Sequence, residues 1–576
     1  MCYPDYKPDW PQFRNMPIQK QIQQAQKNTE EIPACEHTLG MGISSLTVAA
    51  FAFFFCWACG QRGLFASDQS IVFDGGYRIL SGQVPFRDFV SPNGPISFLA
   101  QAGFFGLFGV SFFSYLLHSA AANAVAALSA IYIIRVLFPT RPYLSASAGV
   151  LTAIWFYPPF GTPYPEHTAF LLGFPALTLI VAVLVAKSTR HRLRNPIIVL
   201  SGILAALAFL SKQNAGVLIS LACLGLILAS CYWKHEGRHN LYPVIVFVVG
   251  FSASLAVFVI WLYWHSDPPL FFKYFLEVPF DLGLSRAQSL LVGLKRMLIP
   301  FEHPVLRFAL YCSAALWVCV VVAFFGPYDL QRTKRHKAAI TLLPLLLMIQ
   351  SLMIPTMNNA VIYMVPFTGI IVAISFGLTR ELLLPLVRVQ PLVVWAAFVC
   401  LGFGLALTGS EISWNRREIL FSASIFRSVP VNGLRDLKWG EPTTIRNWQI
   451  SVSDVASLVN HLTAQGTPFL IFPDFTMLYG IVGRLNPQPV CWFHPGVTYS
   501  AHGDPLLDRW IVSELQGNKI GVVVLERCAW LGLDLLDDFS LTKMFIQNEF
   551  RLVRRIGPWE VFHRHPKENL QIEQER

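Results

Sequence analysis

The stretch from Ser67 to Gly109, SDQSIVFDGGYRILSGQVPFRDFVSPNGPISFLAQAGFFGLFG, decides how the rest of the chain is read. Its first half carries Asp68, Asp74, Arg78, Arg87 and Asp88, whereas Ile96 to Phe108 holds no charge at all. A helix needs about 20 apolar residues to cross a bilayer, and this piece is shorter. It also follows the breaker Asn93-Gly94-Pro95 and stops at Gly109. It is therefore read as a helix lying along the membrane interface. Counting it as a crossing would invert every later loop.

Outward from this stretch, eleven apolar runs have the composition of membrane spans, near residues 40–58, 113–134, 143–157, 168–186, 196–211, 214–232, 242–264, 305–325, 338–354, 359–378 and 390–408. The whole chain agrees with them. Of 576 residues, 54% are hydrophobic and 14% charged, against roughly 25% charged in soluble domains. That balance excludes a water-facing globule, a secreted disulfide scaffold and a disordered chain. The net charge of +10 reads as Lys and Arg in cytoplasmic loops, not as a nucleic-acid footprint.

The polar stretch QKQIQQAQKNTEE before the first run is too long and too acidic for the basic region of a cleavable signal. With the N-terminus in the cytoplasm, the inner hairpins hold Arg135/Arg141, Lys187/Arg190/Arg192/Arg194, Lys234/Arg238, Arg332/Lys334/Arg335/Lys337 and Arg380/Arg388. The outer loops hold fewer cations over more residues, as the positive-inside rule requires. The expected organisation is a polar cytoplasmic segment 1–37, a membrane domain 38–409 with a long first outer loop 59–112, and an extracytoplasmic domain 410–576. That last part alternates helix and strand signals: SVSDVASLVNHLTAQ before Gly466, TPFLIF, DPLLDRWIVSELQ before Gly517, KIGVVVLE, and a final pair FRLVRRIG and WEVFHRH. The fold class is thus a multi-pass all-α membrane protein of about 11 transmembrane helices with a C-terminal extracytoplasmic α/β domain.

The 11 cysteines fall mostly in spans, where a thiol acts as a small hydrophobe. Cys56 and Cys59 read as packing residues, and Cys491 and Cys528 as a candidate disulfide. No Asn-x-Ser/Thr sequon occurs, which favours a bacterial inner membrane over the endoplasmic reticulum. Span interiors carry no Asp, Glu, Lys or Arg. A coupled transporter or a flippase of lipid-linked sugars would keep such groups at depth. The informative charges lie instead at the outer ends of the spans.

Asp68-Gln69, Tyr77-Arg-Ile-Leu-Ser-Gly82, Val84-Pro-Phe-Arg-Asp-Phe89, Gly94-Pro95 and Leu107-Phe-Gly109 together resemble the first loop of GT-C superfamily membrane glycosyltransferases. The nearest likeness is to bacterial relatives of dolichyl-phosphate-mannose protein mannosyltransferases and of aminoarabinose transferases. Tyr164-Pro-Glu-His-Thr-Ala169 and Leu210-Ser-Lys-Gln-Asn-Ala-Gly216 resemble two later pieces of the same enzymes. Two departures stand out: Gln69 where the mannosyltransferases have a second carboxylate, and Asn93-Gly94 where aminoarabinose transferases have an acidic-basic pair. The resemblance implies transfer of a sugar from a polyprenyl-phosphate donor to a lipid, glycan or protein acceptor at the extracytoplasmic face. An O-antigen ligase or polysaccharide polymerase is the alternative from the same pathway, although those place their large outer segment between late spans.

Such chemistry needs a base for the acceptor's proton and cations for the leaving phosphate. Asp68 is assigned as the base; taken alone it reads as a helix N-cap. Glu166 is the second carboxylate, or equally a partner for a helix N-terminal dipole. Arg78, Arg87 and Lys212 are phosphate candidates, with Arg87 offering a fork and Lys212 a point charge. Arg78 equally suits an interfacial anchor. Asp88, Gln213 and His167 complete the expected substrate-binding set, with Asp88 also readable as the ion-pair partner of Arg87. The aromatic run Trp155 to Phe160 reads as an interfacial belt or a sugar-stacking surface. No cofactor or metal ligand set is assigned, and a divalent cation is left open. No glycine-rich nucleotide motif precedes a helix, so a nucleotide-sugar donor is not expected.

Overall fold

The computed structural model describes residues 36–185, 191–232, 241–281, 304–325, 333–356, 365–384, 390–415, 425–441, 450–500, 503–517, 520–526 and 535–565. The polar segment before residue 36 and Cys528 lie outside the described residues, and so does the Cys491–Cys528 pairing. Residues up to Thr47 cluster as one unit and Val48 to Arg576 as another. The second unit contains the first loop, the later helices and the C-terminal strands.

Each of the eleven apolar runs contains a helix among its described residues. Among the described residues, 8 helices are long and apolar enough to cross a membrane. The other three runs give Pro142–Trp155, a segment within His191–Phe209, and Thr368–Leu378. Thr368–Leu378 is buried along its whole length and Pro142–Trp155 over most of it. A helix that stops short at membrane depth is tolerated where protein covers its ends. The helices His191–Phe209 and Tyr242–His265 meet backbone to backbone: a Cβ on Gly202 would collide with the Phe247 carbonyl oxygen, and one on Gly250 with that of Val199. Small residues at such crossings maximise packing where lipid offers no hydrophobic drive.

The decisive stretch folds as two helices joined by a turn, Ala66–Leu80 and Pro95–Phe108. The second has 14 residues, about 21 Å of helix against roughly 30 Å of hydrocarbon. It buries Phe98, Gln101, Ala102 and Phe105 and exposes Leu99, Leu107 and Phe108, so one side of it packs on the protein and an apolar side stays uncovered.

After the last long helix, Pro391–Asn415, the chain turns to mixed structure. A hairpin, β1 (Ile425–Ser428) with β2 (Lys438–Glu441), was not expected from the sequence. Helix Val452–Gln465 starts at a capping box of Ser451 and Asp454 and closes at Gly466, which takes a left-handed conformation. The strands β3 (Phe469–Phe472), β4 (Val522–Glu526), β5 (Phe550–Ile556) and β6 (Trp559–Arg564) form one sheet in the order β3-β4-β6-β5. The pair β3/β4 is parallel and the rest antiparallel. TPFLIF and KIGVVVLE supply the buried parallel pair, as their apolar runs indicate.

This α/β segment is packed on the first loop. Val90 bridges Val490, and the Val90 amide donates to the Pro489 carbonyl at 2.7 Å. Arg62 donates to the Trp414 carbonyl at 2.7 Å and lies between the rings of Trp414 and Phe426.

Candidate active site

Helix Ala66–Leu80 opens at Phe65, so Asp68 occupies the first turn and is not the cap that its sequence context suggests. Gln69 fixes this turn. Its side-chain oxygen accepts from the Phe65 amide at 2.6 Å, and its NH₂ group donates to the Phe160 carbonyl at 2.8 Å and the Thr162 hydroxyl at 2.9 Å. A carboxylate could not make the donation to the carbonyl. The substitution of an amide for the second acid thus has a physical reason: position 69 ties the loop to residues 160–162.

Glu166 is the second residue of helix Pro165–Val185 and is almost completely buried. Lys212 lies in the turn between His191–Phe209 and Gln213–Tyr232. Its ammonium stands 3.1 Å from Glu166 Oε1 and donates to Asn93 Oδ1 at 2.8 Å. Neither carboxylate oxygen of Glu166 meets hydrogen-bond geometry with another group among the described residues. Asp68, itself 8% exposed, is close enough to feel both groups. Burial raises its pKa to about 7, with Glu166 pushing the same way and Lys212 opposing them. The sequence-assigned base, second acid and point cation therefore converge.

Asn93 belongs to this group, although the sequence offered it only as a departure from a familiar pattern. The turn that carries it is pressed against the Lys212 turn. The Gly94 amide donates to the Ser211 carbonyl at 3.0 Å, and a Cβ on Gly94 would run into the Leu210 carbonyl oxygen. Gln213 serves this contact: its side-chain amide donates to the carbonyls of Pro92 and Phe275.

The remaining expected residues are engaged elsewhere. Arg78 is fully buried, and its guanidinium donates to Asp74 at 2.9 Å, to the Gln488 carbonyl at 2.7 Å and to the Val490 carbonyl at 3.2 Å. Asn486 donates to both oxygens of Asp74. Arg78 thus fastens the loop to the C-terminal segment in place of snorkelling at an interface. Burial holds the Asp74 carboxyl above its ordinary range despite Arg78.

Arg87 is the exposed member, with 52% of its side chain open, and it forms a two-pronged pair with Asp88 at 2.9 and 2.7 Å. Burial pushes the Asp88 carboxyl up, but the bonds from Arg87 and the Val84 amide take it below the usual range. His167 is buried, with Nε2 2.9 Å from the Phe156 carbonyl oxygen and its ring stacked on Tyr157 and Phe160. Those aromatics are themselves buried, so the run is core, neither a belt nor an open stacking surface.

The loop after Tyr242–His265 joins the same region. Lys273 and Tyr274 both donate to Asp504 Oδ2, at 2.8 and 2.9 Å, and Asp267 caps the short helix that follows it. Asp504 and Asn486 were missed from sequence because their partners are more than 200 residues away and no local period marks them. Among the described residues no group of three or more His, Cys, Asp or Glu converges as a metal centre.

Residues 92–264 match the family model for dolichyl-phosphate-mannose-protein mannosyltransferase. The match includes Asn93, Glu166 and Lys212 and leaves Asp68 outside. Among solved structures, the chain is similar to ArnT from Cupriavidus metallidurans bound to undecaprenyl phosphate, with 14% identity, a TM-score of 0.50 and coverage of 92% of this chain and 99% of that one. The apo form of the same protein gives 13% identity, a TM-score of 0.50, and coverage of 92% and 98%. The Archaeoglobus fulgidus oligosaccharyltransferase is similar at 12% identity and a TM-score of 0.43, over 83% of this chain and 69% of that one. No curated protein matches the sequence. The fold is thus of the GT-C type seen in ArnT, a likeness that spans 92% of this chain.

Proposed function

We propose that this integral membrane protein is an inverting glycosyltransferase that moves a sugar from a polyprenyl-phosphate donor to a lipid, glycan or protein acceptor. The observation that carries the reading is the buried meeting of Asp68, Glu166 and Lys212 where the first loop closes over the ends of the spans. The ArnT structure that shares the fold holds undecaprenyl phosphate, which supports the donor class. Asp68 takes the proton from the acceptor hydroxyl or amine as that atom attacks the anomeric carbon. The bond from that carbon to the phosphate oxygen breaks on the opposite face, so the configuration inverts. Lys212, with Arg87 as the exposed candidate beside the loop, neutralises the leaving phosphate. Glu166 orients the acceptor and keeps Asp68 basic. We place the site on the extracytoplasmic face of a bacterial inner membrane, with the N-terminus inside and residues 410–576 outside.

The test gives purified protein a radiolabelled polyprenyl-phosphate sugar and candidate acceptors. Wild type transfers label, and Asp68→Asn loses about 10² to 10⁴ of the rate, the range of general-base catalysis. Equal transfer by the two proteins would remove Asp68 from the reaction.

A further inference from the structure

Lys212 is held by two acceptors of different kinds. Glu166 contributes a buried charge at 3.1 Å and Asn93 a neutral carbonyl oxygen at 2.8 Å. An ammonium has three donors, so these contacts leave it able to take a third acceptor. Its side chain is 18% exposed, against 1% for Glu166; of the two, the cation is the one that a ligand can approach.

The Asn93 turn is not free to drift away from Lys212. Gly94 sits so close to Leu210 that no side chain fits there, the Gly94 amide is bonded to Ser211, and the Asn93 amide is bonded to the Ser91 hydroxyl at 3.0 Å. Gln213 clamps the same turn from Pro92. Several contacts to the backbone thus keep one amide oxygen against one ammonium. If Lys212 only balanced the charge of Glu166, it would need no such support.

We infer that Asn93 is a positioning residue: it holds Lys212 short of full capture by Glu166, so that the phosphate of the polyprenyl donor competes with Glu166 for the same ammonium. This rests on the proposed donor class. A neutral acceptor suits the task because it orients the cation without adding a second negative charge that the phosphate would have to displace. Glu166 is then a competitor of the donor as well as a partner of Asp68, and donor binding draws Lys212 from the carboxylate pair.

The test measures binding of undecaprenyl phosphate alone to full-length protein in detergent, and donor KM and kcat separately. Asn93→Ala lets Lys212 settle on Glu166, and Asn93→Asp adds a rival charge. Both raise donor Kd and KM by about tenfold, one charged hydrogen bond's worth, with kcat within a small factor, and Asn93→Asp is the weaker binder. Glu166→Gln, which leaves the turn intact, binds undecaprenyl phosphate more tightly than wild type although its turnover falls. Equal Kd for wild type and both Asn93 variants overturns the inference, and so does full recovery of donor affinity by Asn93→Asp or weaker binding by Glu166→Gln. Should wild type itself show no saturable binding of undecaprenyl phosphate, it is the donor class that fails.

Discussion

Asp68 is a carboxyl whose charge its surroundings resist. Burial is the main cause and Glu166 the second, and together they set its pKa at about 7 against the opposing pull of Lys212. As the proposed base it must be ionised to act, so kcat/KM is expected to rise with pH through an acid limb near 7, far above the position of an ordinary aspartate. Glu166→Gln removes one of the raising charges and moves that limb down, whereas Lys212→Met removes the opposing charge and moves it up. A pH–rate series on the three proteins checks both directions. The same shift has a cost in stability. A raised acid pKa means that the native state binds the proton more tightly, so stability falls as pH climbs from the unfolded value through about 7. The gain in melting temperature of Asp68→Asn over wild type is accordingly larger at about pH 8 than at about pH 5.

At the scale of elements, the meeting of two turns builds the site. The 92–94 turn and the 210–213 turn are welded at Gly94, where even a methyl group would collide with the Leu210 carbonyl oxygen. Gly94→Ala therefore forces a backbone shift, destabilises the protein by about 1–3 kcal/mol and weakens donor binding; thermal unfolding in detergent together with donor KM reads both effects. Much of this scale was legible in advance. Apolar runs located the helices, Asn93-Gly94-Pro95 marked the start of helix Pro95–Phe108, and Gly466 marked a helix end. Illegible were the contacts that the elements make across the chain. Arg78 reads locally as a phosphate ligand or an interfacial anchor, yet its acceptors include the Gln488 and Val490 carbonyls, and backbone groups leave no signature in a sequence. Gln69 and Asn93 looked like losses of charge, and only their partners show what an amide supplies at each place.

For the molecule as a whole, loops assigned to one side of the membrane by charge alone come together in space. Arg141, His336 and Glu381 belong to three loops that the charge bias assigns to the inside, and the Glu381 carboxylate lies 3.7 Å from Arg141 Nε and 2.7 Å from His336 Nε2. Asp68, Asn93, Glu166 and Lys212 belong to segments that the same bias assigns to the outside, and they meet likewise. The proposed odd number of spans predicts that reporters fused at Lys337 and at Ile450 give opposite sides; a shared side would refute it. The long-range contacts also bear on how the protein is made. Arg62 is clamped by a residue 352 positions downstream, and Arg78 donates to a carbonyl 410 positions away. A chain still emerging from the ribosome carries these cations before their carbonyl acceptors are made, and Asp74 before the Asn486 amide that donates to it. The reactive loop therefore matures last, and a truncated chain exposes unsatisfied charge at the membrane surface, where cellular quality control can recognise it before an incomplete enzyme meets its donor.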